Sequence, residues 1–283
     1  MDILLGGLAS GMVLFVVSVG LSVTMGLMGF VNLAHGGFAM LGGYAVVLAM
    51  QHLGLPFFAA LAFAFIVVAA LSVVLEKTLY ARLYRASELD QVLFTIGLAF
   101  VMIAGVTLAV GPESQVVKLP AWLRGQTDLG FIEYRTYSLA LIVFGTLLMA
   151  ALWLGFERTR IGAQIRAAVD SRRTAESLGV DVGRLFTLTF ALGSGLAAVG
   201  GGVGAEILGL DPQYPLRYLA YFLIVVAVGG LGRVHGVFAA ALLIGVLDFV
   251  LKVQFPKGGT MFIYALTLVL LLARPQGLFG KKP

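Results

Sequence analysis

The chain has 283 residues, of which 60% are hydrophobic and only 12% are charged, and its mean hydropathy is +1.02. Soluble domains are roughly half apolar and about a quarter charged, so this composition excludes a water-soluble globule. The net charge of +5 does not indicate nucleic-acid binding, because the basic residues lie in short segments between apolar stretches, where they orient membrane proteins.

Long apolar segments recur along the chain and predict membrane-crossing helices. A helix needs about 20 mostly apolar residues to cross a bilayer core about 30 Å thick, and these segments lack the alternation of barrel strands. We therefore expect an all-α polytopic bundle of eight or nine spans that forms one transmembrane domain over 1–283. Three short segments, 36–52, 218–232 and 234–251, are candidates for broken or half helices. The full set of predicted segments is 3–30, 36–52, 57–75, 92–111, 137–156, 185–209, 218–232, 234–251 and 261–274.

The distribution of basic residues predicts the orientation. With the N-terminus outside, thirteen Lys and Arg residues fall inside and six outside, in agreement with the positive-inside rule. This orientation places 76–91 and 157–184 in the cytoplasm and makes 112–136 the longest external segment. The first apolar segment lacks the basic region of a secretory signal, so we expect it to stay. The inside residues are Lys77, Arg82, Arg85, Arg158, Arg160, Arg166, Arg172, Arg173, Arg184, Arg233, Arg274, Lys281 and Lys282; the outside residues are Lys118, Arg124, Arg135, Arg217, Lys252 and Lys257.

A short motif occurs twice, as His-Gly-Gly-Phe-Ala at 35–39 and as His-Gly-Val-Phe-Ala at 235–239. Both copies are predicted to begin helices that run outward from the cytoplasmic side, which does not suit an inverted repeat. Broken helices in transporters expose N–H groups to substrate, and Asn32 and His35 before two glycines fit that pattern. Glycines also serve close helix packing, which we expect of the Gly-xxx-Gly pairs at 7–11 and 200–204.

Signatures of enzymes are missing from the sequence. There is no cysteine, no phosphate-binding G-x-x-x-x-G-K-[ST] loop, no H-E-x-x-H metal pattern and no G-x-S-x-G nucleophile elbow. We therefore expect no catalytic residue, no metal site and no enzymatic activity in this chain. Asp248 is the only acid well inside an apolar run, and it is either hydrogen-bonded in the bundle interior or used for ion coupling.

The polar segment 157–184 predicts a short helix presented to a partner protein. It holds six arginines and four acids. Asp170 or Ser171 can serve as the N-cap, Ala175 and Leu178 fall three apart on one helical face, and Gly179 supplies the stop. An ordinary positive-inside loop is the alternative, but the capped helix favours docking into a groove.

Several motifs, in this order, resemble the permease family of branched-chain amino acid ABC importers, in particular its LivH-like subunits. They are Gly-Phe-Val-Asn-Leu-Ala-His-Gly-Gly at 29–37 with Gly-Gly-Tyr at 42–44, Thr-Ile-Gly-Leu at 95–98, Glu-Arg-Thr-Arg-Ile-Gly at 157–162 continuing to Arg-Ala at 166–167 and Leu-Gly at 178–179, and Gly-Gly-Leu-Gly at 229–232 with Gly236. The sequence departs from the family at 232–236, where Arg233 stands in place of a smaller polar residue.

The resemblance implies a permease in the bacterial inner membrane that carries branched-chain, apolar amino acids. It implies a second homologous permease as heterodimer partner, two cytoplasmic ATPase subunits that bind ATP and Mg, a periplasmic substrate-binding protein, and no cofactor in this chain. The implied substrate path holds Asn32, His35, Gly36, Gly37, Thr95 and Gly97. The implied ATPase-coupling residues are Arg166, Asp170, Arg172, Arg173, Ala175, Glu176, Leu178 and Gly179.

Three alternatives to this function remain open. The same family includes permeases for urea and short amides, and no single residue separates them from amino-acid carriers. An ion-coupled carrier acting alone would depend on Asp248 and would need no ATPase. A channel or membrane scaffold would show passive flux or none.

Overall fold

A computed structural model describes residues 2–29, 31–84, 86–128, 130, 133–256, 258–273 and 278. Phe30 of the first motif and the basic residues Arg85, Lys257, Arg274, Lys281 and Lys282 lie outside these residues. The helices are α1 (Asp2–Met28), α2 (His35–His52), α3 (Phe57–Leu75), α4 (Ala81–Leu83), α5 (Glu88–Val110), α6 (Thr136–Arg158), α7 (Arg160–Asp170), α8 (Arg172–Ser177), α9 (Val182–Leu208), α10 (Tyr214–Gly229), α11 (Val234–Gln254) and α12 (Gly259–Ala273).

Two connections have regular structure of their own. A π turn, Glu76–Tyr80, joins α3 to α4 without a break. Between α5 and α6 lie a 3-10 turn, Ala121–Leu123, and an antiparallel hairpin of β1 (Gln126–Asp128) and β2 (Glu133–Arg135).

Each predicted apolar segment overlaps a helix within the described residues, so the all-α polytopic architecture is confirmed. Helices α2, α10 and α12 do not meet the length and hydropathy of a full span, and the number of eight or nine crossings therefore stays a prediction. Within the described residues, the six helices long and apolar enough to cross a membrane are Ile3–Met28, Phe57–Leu83, Glu88–Val110, Thr136–Arg158, Val182–Leu208 and Val234–Gln254.

Helices α1 and α9 form the centre of the bundle and run antiparallel. Gly20 lies opposite Gly193, where a Cβ on Gly193 would lie only 2.9 Å from the Gly20 carbonyl oxygen. Further along the same contact, Gly200 packs against Val17 and Gly204 packs against Val13. Lipid tails are as apolar as the helices themselves, so this close van der Waals packing, and not the hydrophobic effect, holds the pair together.

Helix α11 packs on another side of α1, also antiparallel. Gly7 lies against Val246, and Gly11 lies against Ala241. The packing role predicted for both Gly-xxx-Gly pairs is therefore confirmed. The two pairs differ in their partner, because the pair in α1 contacts α11 and the pair in α9 contacts α1.

Helix α2 runs parallel to α9. The rings of Phe38 and Phe190 meet edge-on with their centroids 5.6 Å apart, and Gly201 faces the Ala39 carbonyl. Helices α2 and α11, which begin at the two copies of the repeated motif, both run antiparallel to α1. Their common direction agrees with the prediction from the sequence.

The outer helices turn large apolar side chains away from the core. Ile66 of α3, Val101 of α5 and Leu147 of α6 are each about two thirds exposed, at 65%, 66% and 65%. Such a surface is compatible with lipid tails and not with water. The chain is a multi-pass membrane protein.

Two segments predicted as cytoplasmic loops contain helix. The helix that begins at Phe57 continues through the π turn to Leu83, so little of 76–91 remains as a loop before Glu88. The segment 157–184 contains α7 in addition to the short helix that was predicted. Hydropathy marks only apolar sequence, so it detects neither the polar continuation of α3 nor the separate polar helix α7.

We expect Gly201→Ala to destabilise the bundle by about 1–3 kcal/mol, the usual cost of overpacking. Its new Cβ would collide with the carbonyl of Ala39, which is backbone and cannot rotate away. Gly97→Ala is the control, because a Cβ on Gly97 meets nothing within 4 Å. Thermal unfolding in detergent compares the two variants, and equal melting temperatures would contradict this packing.

Candidate functional sites

The turn before α2 is built around the side chain of Asn32. Its Oδ1 accepts hydrogen bonds from the Ala34 backbone N–H at 3.1 Å and from the Tyr80 hydroxyl at 3.0 Å. Asn32 is buried, and its Nδ2 finds no hydrogen-bond partner within the described part of the chain. A buried donor without a partner costs about 1–3 kcal/mol. Such a group marks a place where water, a ligand or a second conformation supplies the partner.

The first residues of α2 are enclosed by neighbouring helices. The His35 Nε2 lies 3.0 Å from the Val17 carbonyl oxygen of α1, which can only accept, so this nitrogen carries the hydrogen. Gly36 packs against Pro215 of α10, and Gly37 packs against α5. The four path residues predicted at this turn therefore lie together, inside the bundle.

Helix α5 buries one of its two predicted path residues and reaches the turn through the neighbouring residue. Thr95 is buried, with its hydroxyl donating to the Val92 carbonyl at 3.0 Å. The adjacent Phe94 ring packs on Tyr80, with centroids 5.6 Å apart. Gly97 lies exposed on the other side of α5, away from this group.

The π turn between α3 and α4 carries a buried carboxylate. Glu76 is 4% exposed, and its oxygens accept from the Tyr84 hydroxyl at 2.6 Å and from the Thr187 hydroxyl of α9 at 2.8 Å. Burial and the bond to Glu76 raise the pKa of the Tyr84 phenol, so it stays protonated and donates. Single π turns inside helices are frequent at functional sites.

The two short helices in 157–184, α7 and α8, both begin at capping side chains. The Thr159 hydroxyl accepts from the Gly162 N–H at 3.1 Å and caps α7. The Ser171 hydroxyl accepts from the Thr174 N–H at 3.3 Å and caps α8. Of the two caps predicted for this helix, Ser171 is the one used, and Asp170 ends α7.

The end of α8 presents an apolar side chain to the outside. Ala175 is buried, whereas Leu178 is 77% exposed, so of these two residues only Leu178 is presented outward. Leu178 is the C-cap of α8, and its backbone N–H still donates to the Thr174 carbonyl at 3.1 Å. Gly179 has a φ of +82°, a left-handed conformation that glycine adopts without steric cost, and it turns the chain away.

Charged side chains surround this apolar end. The Arg172 Nε lies 2.9 Å from the Glu176 Oε1, and both side chains are about half exposed. Arg173 is exposed as well. Arg172, Arg173, Glu176 and Leu178 thus face outward, whereas Ala175, which was also predicted for coupling, is buried.

Direct contacts connect α8 to the turn before α2. The Arg172 guanidinium lies 5.0 Å from the centre of the Phe186 ring, and that ring meets Tyr84 at 5.2 Å. Tyr84 donates to Glu76, which shares the π turn with Tyr80. Tyr80 in turn donates to the Asn32 side chain, so a continuous series of contacts leads from Arg172 of α8 to the turn before α2.

A cavity of about 1280 Å³ opens at the same end of the bundle as α7. Trp153 and Leu223 contribute to its apolar wall, and Glu157, Arg166 and Arg233 contribute charge. Arg166, predicted to face the ATPases, lies at this cavity with its Nη1 3.7 Å from the Glu157 Oε2. The second copy of the repeated motif lines the cavity too, whereas the first copy is buried.

The acid inside an apolar run is paired with a cation. The Asp248 Oδ2 lies 2.7 Å from the Lys252 Nζ, and its Oδ1 accepts from the Tyr221 hydroxyl at 2.8 Å. These partners support the hydrogen-bonded interpretation of Asp248 over ion coupling. In the described ranges, no group of three His, Cys, Asp or Glu side chains is arranged to hold a metal ion.

Reasoning from the sequence missed Glu76 and Tyr80. The apolar run ends at Leu75, so hydropathy places the end of the helix before Glu76. In the structure the helix continues through the π turn, because the Glu76 carboxylate is buried and hydrogen-bonded. The same reasoning assigned Arg217 to an external loop, but the structure places it within α10. The sequence did indicate this position of Arg217, because the arginine stands between apolar residues of the segment that forms α10.

Comparison with known proteins gives concordant matches along the whole chain. A family model described as "Branched-chain amino acid transport system / permease component" matches residues 3–272. The permease BraD of Pseudomonas aeruginosa is 27% identical over 98% of this chain and 95% of its own. LivH of Escherichia coli is 26% identical over 97% and 94%, and LivM of Salmonella typhimurium is 24% identical over 94% and 68%.

Among solved structures, PsaBC from Streptococcus pneumoniae in complex with Fab has a similar fold. The TM-score is 0.54, with 14% sequence identity over 96% of this chain and 91% of the other. At that identity, the likeness concerns the fold alone.

We expect the side chains of Asn32 and Tyr80 to be energetically coupled. Asn32→Ala and Tyr80→Phe each remove the same hydrogen bond, so the double variant should lose about 1 kcal/mol less than the sum of the single losses. The free energies of unfolding of the purified protein, of both single variants and of the double variant give this coupling.

Tyr137→Phe serves as the matched control for this cycle. It removes a buried hydroxyl that donates to the Val203 carbonyl at 2.6 Å, and it has no bond to Asn32. Its loss should add to that of Asn32→Ala. Additive losses for Tyr80→Phe as well would show that the turn does not depend on this bond.

Proposed function

The chain belongs to the family of branched-chain amino acid transport system permease components, and we propose that it is the membrane-spanning permease subunit of a bacterial ABC importer. It is not an enzyme. In this proposal it lies in the inner membrane as one permease domain and takes branched-chain, apolar amino acids from a periplasmic binding protein. Two cytoplasmic ATPase subunits, which hold ATP and Mg, drive it, and a second homologous permease completes the pair.

The observation that carries this function is the α7–α8 segment. Both helices are capped and α8 ends in an exposed leucine flanked by charge, which suits insertion into a groove on another protein. A segment that only joined two spans would not need two caps and an outward apolar end. The likeness of the chain to LivH and to LivM, which are both named permeases, supports a paired permease.

The proposed motion begins at α8. ATP binding favours one arrangement of the ATPases, and alternating access is then a shift in population between two arrangements of the permease. Displacement of α8 would reach Glu76 through Phe186 and Tyr84. Tyr80 would pass it to the turn that holds Asn32, His35, Gly36 and Gly37, beside Thr95.

The experiment that tests the function is ATP hydrolysis by the reconstituted assembly with its binding protein. It is titrated with leucine, isoleucine, valine and urea. Stimulation by a branched-chain amino acid supports the proposal. Stimulation by urea alone would assign the chain to the urea and amide carriers of the family, and failure to bind any ATPase would overturn the importer assignment.

We expect Leu178→Asp to weaken retention of the ATPase subunits by at least about tenfold, as at a central interface residue. Leu178 is 77% exposed, so the change should not affect folding. Leu53→Asp is the matched control, because Leu53 is 58% exposed and follows α2 at the opposite end of the bundle. Co-purification measures both, and equal retention would exclude Leu178 from the interface.

A further inference from the structure

Helix α10 has an outward side that differs from those of the other outer helices. Along one face, Leu216 is 42% exposed and Ala220, Leu223 and Ala227 are half-buried. These positions recur every three or four residues, so they form one stripe, and the exposed Arg217 borders its start. Two of the four positions are alanines, whereas α3, α5 and α6 expose large apolar side chains.

The stripe leads into the cavity at the α7 end. Leu223 and Ala227 line that cavity. Helix α9 begins beside α8 and ends at the opposite end of the bundle, and α10 returns from there. Arg217 therefore marks the far end of the stripe and the cavity marks the near end.

Two ion pairs of the same design lie at the far end. The Arg217 Nη1 is 2.7 Å from the Asp211 Oδ2, and the Lys252 Nζ is 2.7 Å from the Asp248 Oδ2. In each pair the carboxylate is mostly buried, at 13% and 14% exposed, and the cation is half exposed, at 51% and 49%. In both ion pairs the cation therefore faces outward, and its charge is balanced by the mostly buried carboxylate.

Tyrosine rings connect the two pairs. Tyr221 of α10 donates to Asp248 of α11 at 2.8 Å, and the Lys252 Nζ lies 5.3 Å from the centre of the Tyr221 ring. Tyr218 stands next to Tyr221, with centroids 6.4 Å apart. The result is one polar and aromatic patch shared by α10 and α11.

Such a patch is costly against lipid. Ionisable residues within membrane helices usually face water-filled paths or other protein. Lys252 is in the last turn of α11 and Arg217 is in the first turn of α10, so both cations lie at the same end of the bundle. Their half-exposed outward sides therefore suit a polar surrounding.

We propose that the α10 stripe lines the translocation path and that Arg217 and Lys252 hold the carboxylate of a zwitterionic amino acid. This inference rests on the proposed transport function. Two outward cations suit the carboxylate of a ligand, while the mostly buried Asp211 and Asp248 hold the cations in place. The apolar positions 220, 223 and 227 then contact the side chain of the amino acid on its way to the cavity.

The chain contains no cysteine, so single cysteines report on the stripe without background from this subunit. Ala220→Cys and Ala227→Cys are compared with Leu147→Cys on the apolar face of α6. The complete assembly is reconstituted and exposed to a charged, membrane-impermeant thiol reagent, and the label is read on this chain. We expect labelling at 220 and 227, protection by leucine but not by leucinamide, and no labelling at 147.

Arg217→Gln provides the second arm. It should abolish protection by leucine and lower uptake by at least about tenfold, the effect of losing a charged hydrogen bond, while ATP hydrolysis continues. Arg135→Gln is the matched control, because the Arg135 Nη2 lies 3.3 Å from the Glu206 Oε1 as an exposed ion pair elsewhere. Uptake by that variant should stay within about twofold.

The outcomes separate this inference from the proposed function. If the unlabelled cysteine variants take up leucine with ATP but positions 220 and 227 do not react, the stripe faces lipid or the second permease and the inference is wrong. If leucine and leucinamide protect positions 220 and 227 from labelling equally, the carboxylate is not recognised, and the role proposed for Arg217 and Lys252 is wrong. If the unmodified assembly shows no ATP-driven uptake at all, the transport function fails instead.

Discussion

The close approach of α1 and α9 is the constraint on which the rest of the structure depends. Because Gly20 and Gly193 lack side chains, the two backbones pack directly, and α2 and α11 take their positions from them. In a membrane there is no hydrophobic effect to hold helices together, so shape complementarity has to do so. A core of this kind is rigid, and moving parts must be attached at its edges.

The second constraint is the cost of polar groups away from water. Most buried polar side chains here are paired within the bundle, as Glu76 is with Tyr84 and Thr187. Some of these bonds also join elements that are distant in the chain, as between Glu76 and Thr187 and between Tyr80 and Asn32. The π turn is tied to α9 through Glu76 and to the turn before α2 through Tyr80, so the route from α8 into the bundle follows the buried polar groups.

Much of the fold could be predicted because it follows from hydropathy alone. The apolar segments, the packing glycines and the capped helix at 171–177 all leave local patterns in the sequence. The site was harder to predict, because the burial of a side chain depends on residues that are distant in the sequence. Asn32, His35 and Thr95 were recognised as polar residues in apolar surroundings, but only the structure shows that Tyr80 reaches Asn32 and that Gly97 lies on the other side of α5. The sequence places Arg217 in a loop because hydropathy detects only the apolar part of the short helix α10, and that part begins after this arginine.

The most direct test of the central claim is uptake of labelled leucine by proteoliposomes that contain the complete assembly, with the binding protein on one side and ATP on the other. We expect uptake against a gradient that requires ATP hydrolysis and stops when the ATPase subunits are made inactive. Uptake that continues with inactive ATPases and follows an ion gradient would contradict the account, since this chain would then carry its own energy coupling.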